Sequence, residues 1–199
     1  MSNLTPEQFQ ALQALFDNGI GRANALLSYL TDAPMSVKMS PIQILPLQQL
    51  QVAVVAGVGR GKVGAIELSY SGEFDGLTQI LFPEETAAAL VDTIADPRRR
   101  QIDHQTTHIK TLTEVGNIFF NGLMGSLSNL ADCSITYLAP RYRENRLKEL
   151  ISPDSFVGTT AIVGQIQFSP QLFRGQNPML IFQVSPLDEF LKLVEKANG

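Results

Sequence analysis

The sequence is short of charge, nearly free of cysteine and without a long apolar run, and each shortage removes a class of function. Charged residues make up 17% of the chain, and 15 Lys+Arg stand against 19 Asp+Glu for a net charge of −4. That balance lacks the basic excess of a non-specific nucleic-acid binder, so nucleic acid is not an expected partner. A single cysteine, Cys133, forms no internal disulfide, and Met1-Ser2-Asn3-Leu4-Thr5-Pro6-Glu7 offers neither a basic nor an apolar leader. Both features are those expected in reducing cytoplasm. The apolar stretches at 51–58 and 180–184 fall far short of the roughly 20 residues that span a bilayer, so no membrane anchor is expected. What remains is a chain of 199 residues that is 44% hydrophobic, enough for one large domain or two small fused halves.

Periodicity predicts a helix over 5–30, with Thr5 as cap, Pro6 in the first turn and Phe9, Leu12, Leu15 and Phe16 at helical spacing. A strand-like 35–45, a short 47–50 segment and three β-rich stretches at 52–58, 63–70 and 77–82 follow, separated by glycine turns. A helix from 83 to about 95 closes this part. Asp96-Pro97-Arg98-Arg99-Arg100 reads as a solvated connector. The order then recurs: a long helix at 103–130, a strand at 134–142, a short helix at 144–150, strands at 157–168 and 179–184, and a final helix at 187–197.

The residues recur as well. Leu12, Leu27, Ser28, Leu30 and Asp32 return 100 positions later as Leu112, Leu127, Ser128, Leu130 and Asp132, and Pro83, Leu90 and Val91 return as Pro186, Leu193 and Val194. The expected architecture is α+β: one domain over 1–199 made of two pseudo-symmetric halves, about 1–96 and 101–199. Short glycine turns between strands predict an antiparallel sheet covered by long helices.

The most informative segment is 110–124. At about 100° per residue, Lys110, Glu114, Asn117, Asn121 and Ser128 share one narrow stripe, while Leu112, Val115, Phe119, Leu123, Leu127 and Leu130 face the other way. Glu114 and Asn117, three apart, present a carboxylate and a carboxamide together. Gly116, Gly122 and Gly125 weaken the helix interior and, beside the stripe, offer room for another protein's backbone. An exposed face without any partner would carry the same stripe.

Glu114-x-x-Asn117, with Pro140 after a further 22 residues, resembles the signature of the CheC/CheX/FliY phosphatases. Val115-Gly116-Asn117-Ile118 and Asn121-Gly122 are similar to that family's active-site helix. The tract from Gly76 to Glu85 is similar to the strand and helix that close its first half. The resemblance implies a CheC-like fold and dephosphorylation of a CheY-type receiver, with Asn117 holding the attacking water and Glu114 engaging the receiver's lysine. Lys110 and Asn121 would contact the partner. No cofactor or metal of its own is implied, Mg²⁺ belonging to the phosphorylated partner. CheD-like or flagellar-motor partners are also within the family's range, as are monomers and homodimers.

The chain departs from the pattern at Lys110, where the family has Asp or Ser, and Lys110 could either tether Glu114 or compete with the receiver's lysine. At the 100-position shift, Ala14 stands opposite Glu114 and Asp17 opposite Asn117, with Pro41 one residue late, so the first copy is degenerate and one working site is expected. A non-catalytic adaptor on the same surface is the alternative to the enzyme.

Other motifs carry less. Gly57-Val58-Gly59-Arg60-Gly61-Lys62 lacks the phosphate-loop residues at Ala56 and Val63 and is expected to be a hairpin turn with a basic tip. His104 and His108 read as an exposed pair without further metal ligands, and Cys133 as a small buried residue.

Overall fold

The computed structural model describes residues 4–31, 36–95, 103–129, 134–151, 158–169 and 175–198. Two helices of 26 residues, α1 (Pro6–Thr31) and, later in the chain, His104–Asn129, are the longest elements. A reciprocal capping box starts α1: Gln8 N–H donates to Thr5 Oγ1 and Thr5 N–H to Gln8 Oε1, each at 3.2 Å. After α1 come β1 (Ser36–Met39), β2 (Gln43–Pro46), α2 (Leu47–Val58), β3 (Lys62–Gly72), β4 (Asp75–Pro83) and α3 (Glu84–Ile94). The same succession of types follows: α4 (His104–Asn129), β5 (Ile135–Tyr137), β6 (Arg141–Arg146), α5 (Leu147–Leu150), β7 (Thr160–Ser169), β8 (Met179–Ser185) and α6 (Leu187–Asn198).

The strands form one antiparallel sheet in the order β1-β7-β8-β4-β3-β5, with β2 also on β7 and β6 also on β3. The order is palindromic if β5 is set against β1, β6 against β2, β7 against β3 and β8 against β4. This supports the proposed division into two related halves, whose junction near 96–101 lies outside the described residues. Each outer lane is broken by a proline, Pro41 between β1 and β2 and Pro140 between β5 and β6. A residue without an N–H is tolerated in a sheet at such an edge. The single strands expected at 35–45 and 134–142 are therefore two strands each.

Successive side chains of a strand point to opposite faces, and two cores result. Ile66, Leu68, Ile80, Phe82, Ile162, Leu180 and Phe182 lie with Leu12 and Phe16 of α1, Leu90 of α3, Leu112 and Phe119 of α4, and Phe190 of α6. On the reverse face, Ala65, Leu81, Val163 and Ile181 lie with Leu50, Val54 and Val58 of α2 and Leu147 and Leu150 of α5.

Two expectations are corrected. Residues 52–58 are not a strand but the greater part of α2, because Leu50, Val54 and Val58 recur at four-residue spacing and are buried together. Consequently Gly57–Lys62 is not a hairpin turn: Gly59, at φ 85°, ends α2 by turning its N–H back to the Val55 carbonyl, and β3 begins at Lys62. The Asp96–Arg100 tract and Cys133 lie outside the described residues.

Candidate functional site on the long helix of the second half

Amphipathicity sets how α4 lies. Leu112, Val115, Phe119, Leu123 and Leu127 are no more than 3% exposed, whereas Lys110, Glu114, Asn121 and Ser128 face solvent and Asn117 is half-buried. Leu130 lies outside the described residues. Asp103 caps the helix, its Oδ1 accepting the Thr106 N–H at 3.0 Å. Hydrogen bonds from Thr106, foremost its side chain, hold the Asp103 carboxyl below its usual range, and the charge of Lys110 adds to the effect. Lys110 forms no ion pair with Glu114, so the tethering role is not the one observed. Among the described residues the side chains of Glu114, Asn117 and Asn121 have no hydrogen-bond or ion-pair partner, which leaves their polar atoms free for a visitor.

The glycines of α4 seat the helix on its own protein. A Cβ on Gly116 would come within 2.6 Å of Ile66 Cγ2 on β3, and one on Gly122 would overlap the Gly19 carbonyl oxygen of α1. Reciprocally, a Cβ on Gly19 would lie 2.9 Å from the Leu123 Cα. The expected vacancy for a partner's backbone is thus taken up at 116 and 122 by β3 and α1. At Gly125 a Cβ would stand 3.2 Å from Arg22 Nη1, so a guanidinium from α1 lies against α4 one turn beyond Asn121. Sequence reasoning passed over Arg22. The one available signal for the close crossing was the Asn-Gly pair that each long helix carries, Asn18-Gly19 and Asn121-Gly122.

In α1 the corresponding stripe is differently occupied. Asp17 is exposed and accepts a hydrogen bond from Gln13 Nε2 at 3.1 Å, while Gln13 Oε1 accepts the Ile42 N–H at 2.8 Å. Ala14 is half-buried. The polar atoms here brace the chain around Pro41, and the one carboxylate–carboxamide pair described, Asp17 with Gln13, is bonded to itself and to the Ile42 N–H. Pro140 is half-buried beyond β5.

His104 is exposed and His108 half-buried, both lining a cleft of about 480 Å³ between α3, α4 and β6. The ring of Tyr142 meets His108 edge-on at 6.4 Å, and its hydroxyl donates to Glu144 Oε2 at 2.9 Å. Burial, reinforced by Glu144, pushes the Tyr142 phenol up from its ordinary range. Among the described residues no group of three or more His, Cys, Asp or Glu is arranged to hold a metal ion, and no helix is long and apolar enough to cross a membrane.

No family model and no curated protein matches the sequence. Solved structures do match the fold. The chain superposes on Thermotoga maritima FliY over 100% of both chains at 13% identity, with a TM-score of 0.75. It covers 95% of its length and 100% of the other chain against the FliG–FliM complex from H. pylori, at 10% identity and a TM-score of 0.68. Against the CheX–CheY–BeF3–Mg²⁺ complex from Borrelia burgdorferi it covers 86% of its own length and 96% of the other at 15% identity, with a TM-score of 0.56. The antiparallel sheet carrying two long crossed helices is the CheC-like fold, common to this chain and to FliY, CheX and the FliM middle domain.

Proposed function

We propose that the chain is a phosphatase that removes phosphate from the receiver aspartate of a CheY-type response regulator, working through Glu114 and Asn117. The observation that carries the reading is the accessible, uncommitted pair on a helix whose backbone is held by β3 and α1. An acyl phosphate on a receiver has its own Mg²⁺ and lysine beside it, so a visiting protein need supply only an oriented water. The Asn117 carboxamide both donates and accepts, and holds that water on the phosphorus axis without titrating. Water oxygen bonds to phosphorus as the bond to the aspartyl oxygen breaks, leaving the receiver's carboxylate and inorganic phosphate. Glu114 pairs with the receiver's lysine and sets the register of docking. Lys110 and Asn121 flank the pair and meet the partner's surface. Asp17, charged and already hydrogen-bonded, would repel a phosphoryl group, so the first copy is inactive in this reading.

A second reading is a non-catalytic adaptor that docks a receiver, a CheD-like protein or a flagellar-motor component. Lys110 favours it, a cation beside Glu114 where the receiver's lysine would have to sit. Substoichiometric amounts of the chain mixed with phosphorylated receiver separate the two. Several phosphates lost per chain establish the enzyme, and saturable binding without faster loss establishes the adaptor.

A further inference from the structure

Among the described residues the sheet face opposite α4 is covered unequally. In the first half it carries the 12-residue α2, in the second the four-residue α5. From Leu47 to Val58, α2 contains no charged residue. One side of it is buried through Leu50, Val54 and Val58, yet its outer side is not the charged face expected of a helix bordering water. Val52 is 73% exposed there, among the most exposed of the large hydrophobic side chains, and Val55 beside it is half-buried. Between these valines and Leu147 of α5 runs a groove of about 710 Å³, and every charged residue lining it is a cation: Arg60, Arg146 and Lys148. All three cations are exposed, and none has an ion-pair partner among the described residues. In a chain of net charge −4, three cations lining one groove with Gln51, Val52, Val55 and Leu147, and with no ion-pair partner among the described residues, are a local reversal of the overall balance.

We propose that this groove is a docking site for a short acidic amphipathic segment of another protein. An aliphatic or aromatic anchor of that segment would sit on Val52 and Val55, with Asp or Glu side chains reaching Arg60, Arg146 and Lys148. The apolar floor favours burial of one face of a helix or extended peptide, the mode in which a groove reads alternate side chains of its ligand. The charged rim selects an acidic partner and speeds the encounter. Because the cations line a groove together with Val52, Val55 and Leu147, a peptide that places acidic and apolar side chains side by side is the better occupant than a lipid bilayer. The site lies across the sheet from Glu114 and Asn117, so the assignment stands whether or not that pair turns over phosphate.

The test uses the full chain and a fluorescein-labelled synthetic peptide of alternating Asp and Glu with leucines at helical spacing, followed by anisotropy. Binding is expected for this peptide and not for its Lys-substituted twin, and should weaken when ionic strength rises from about 0.05 M to about 0.5 M. Val52→Asp and the pair Arg60→Glu/Arg146→Glu should each weaken binding by about tenfold or more, while Arg60→Lys/Arg146→Lys retains it. Thermal unfolding of each variant, all altered at exposed positions, checks that the fold is intact. The proposal is overturned if no binding occurs below about 1 mM, or if the folded variants bind as the parent does. It is equally overturned if these substitutions instead abolish binding to phosphatidylglycerol vesicles or dissociate a dimer of the chain in sedimentation, since the groove would then serve a membrane or a second copy.

Discussion

Alanine at Gly19 and alanine at Gly21, two residues apart on α1, should change stability in opposite directions. At Gly21 nothing lies within 4 Å of the added Cβ. The substitution there removes unfolded-state freedom and improves helix propensity, a gain of about 0.5–1 kcal/mol. At Gly19 the same methyl would lie 2.9 Å from Leu123 Cα and 3.3 Å from its nitrogen. Comfortable carbon–carbon separation is about 3.5–4.0 Å, so the two long helices must part by roughly 0.6 Å or more. Both opposing atoms are backbone and cannot rotate away. Overpacking of a core costs typically about 1–3 kcal/mol, which outweighs the propensity gain and leaves a net loss of about 1–2 kcal/mol. The two variants should therefore differ by about 2 kcal/mol in urea unfolding, or about 4–8 °C in Tm for a chain of this size. A Gly19→Ala protein as stable as Gly21→Ala would refute the close crossing and, with it, the rigid seating of α4.

Three further outcomes are expected. Thr5→Ala removes the oxygen that accepts Gln8 N–H and should cost about 1 kcal/mol in chemical denaturation. The Asp103 carboxyl is held below its usual value of 3.8 in the fold, so its contribution is complete above that value and is lost as pH falls through the lowered one. In Asp103→Asn the acid limb of the stability curve should flatten, and an unchanged limb would remove the cap from the account. Lys110→Ser, which takes away the cation beside Glu114 and restores a residue the resembled family carries, should raise kcat/KM for phosphorylated receiver by about threefold. A decrease would instead make the contact of Lys110 with the receiver a favourable one.

Much of the fold was legible because burial is one-sided. Leu12, Leu15 and Phe16 of α1 and Leu112, Val115 and Phe119 of α4 repeat at the helical period, and each is buried in the shared core as that period requires. The central strands β3, β4 and β8 are largely apolar runs bounded by glycines or prolines, and they too lie where expected. In α2 local propensity misled: Val52, Val54, Val55 and Val58 are β-branched, and the Leu50–Val54–Val58 stripe that makes them helical emerges only when the second sheet face needs covering. The split edge strands were hidden because a proline in a strand-like run reads equally as an edge or an interruption. At the candidate site, the exposure of Glu114 followed from helical geometry alone, whereas Asn117, placed on the same polar stripe, is half-buried. The use of Gly116 and Gly122 did not, since a sequence shows that a residue is small without showing which backbone approaches it. Arg22 reaches α4 only through the crossing of helices about 100 positions apart in the chain.

The most direct measurement is the decay of a phosphorylated CheY-type receiver with wild-type chain and with Asn117→Ala in parallel. Orientation of water by one carboxamide predicts rapid decay with the first and at least about a hundredfold slower assisted decay with the second, its helix content unchanged. Equal acceleration by the two proteins would contradict the account.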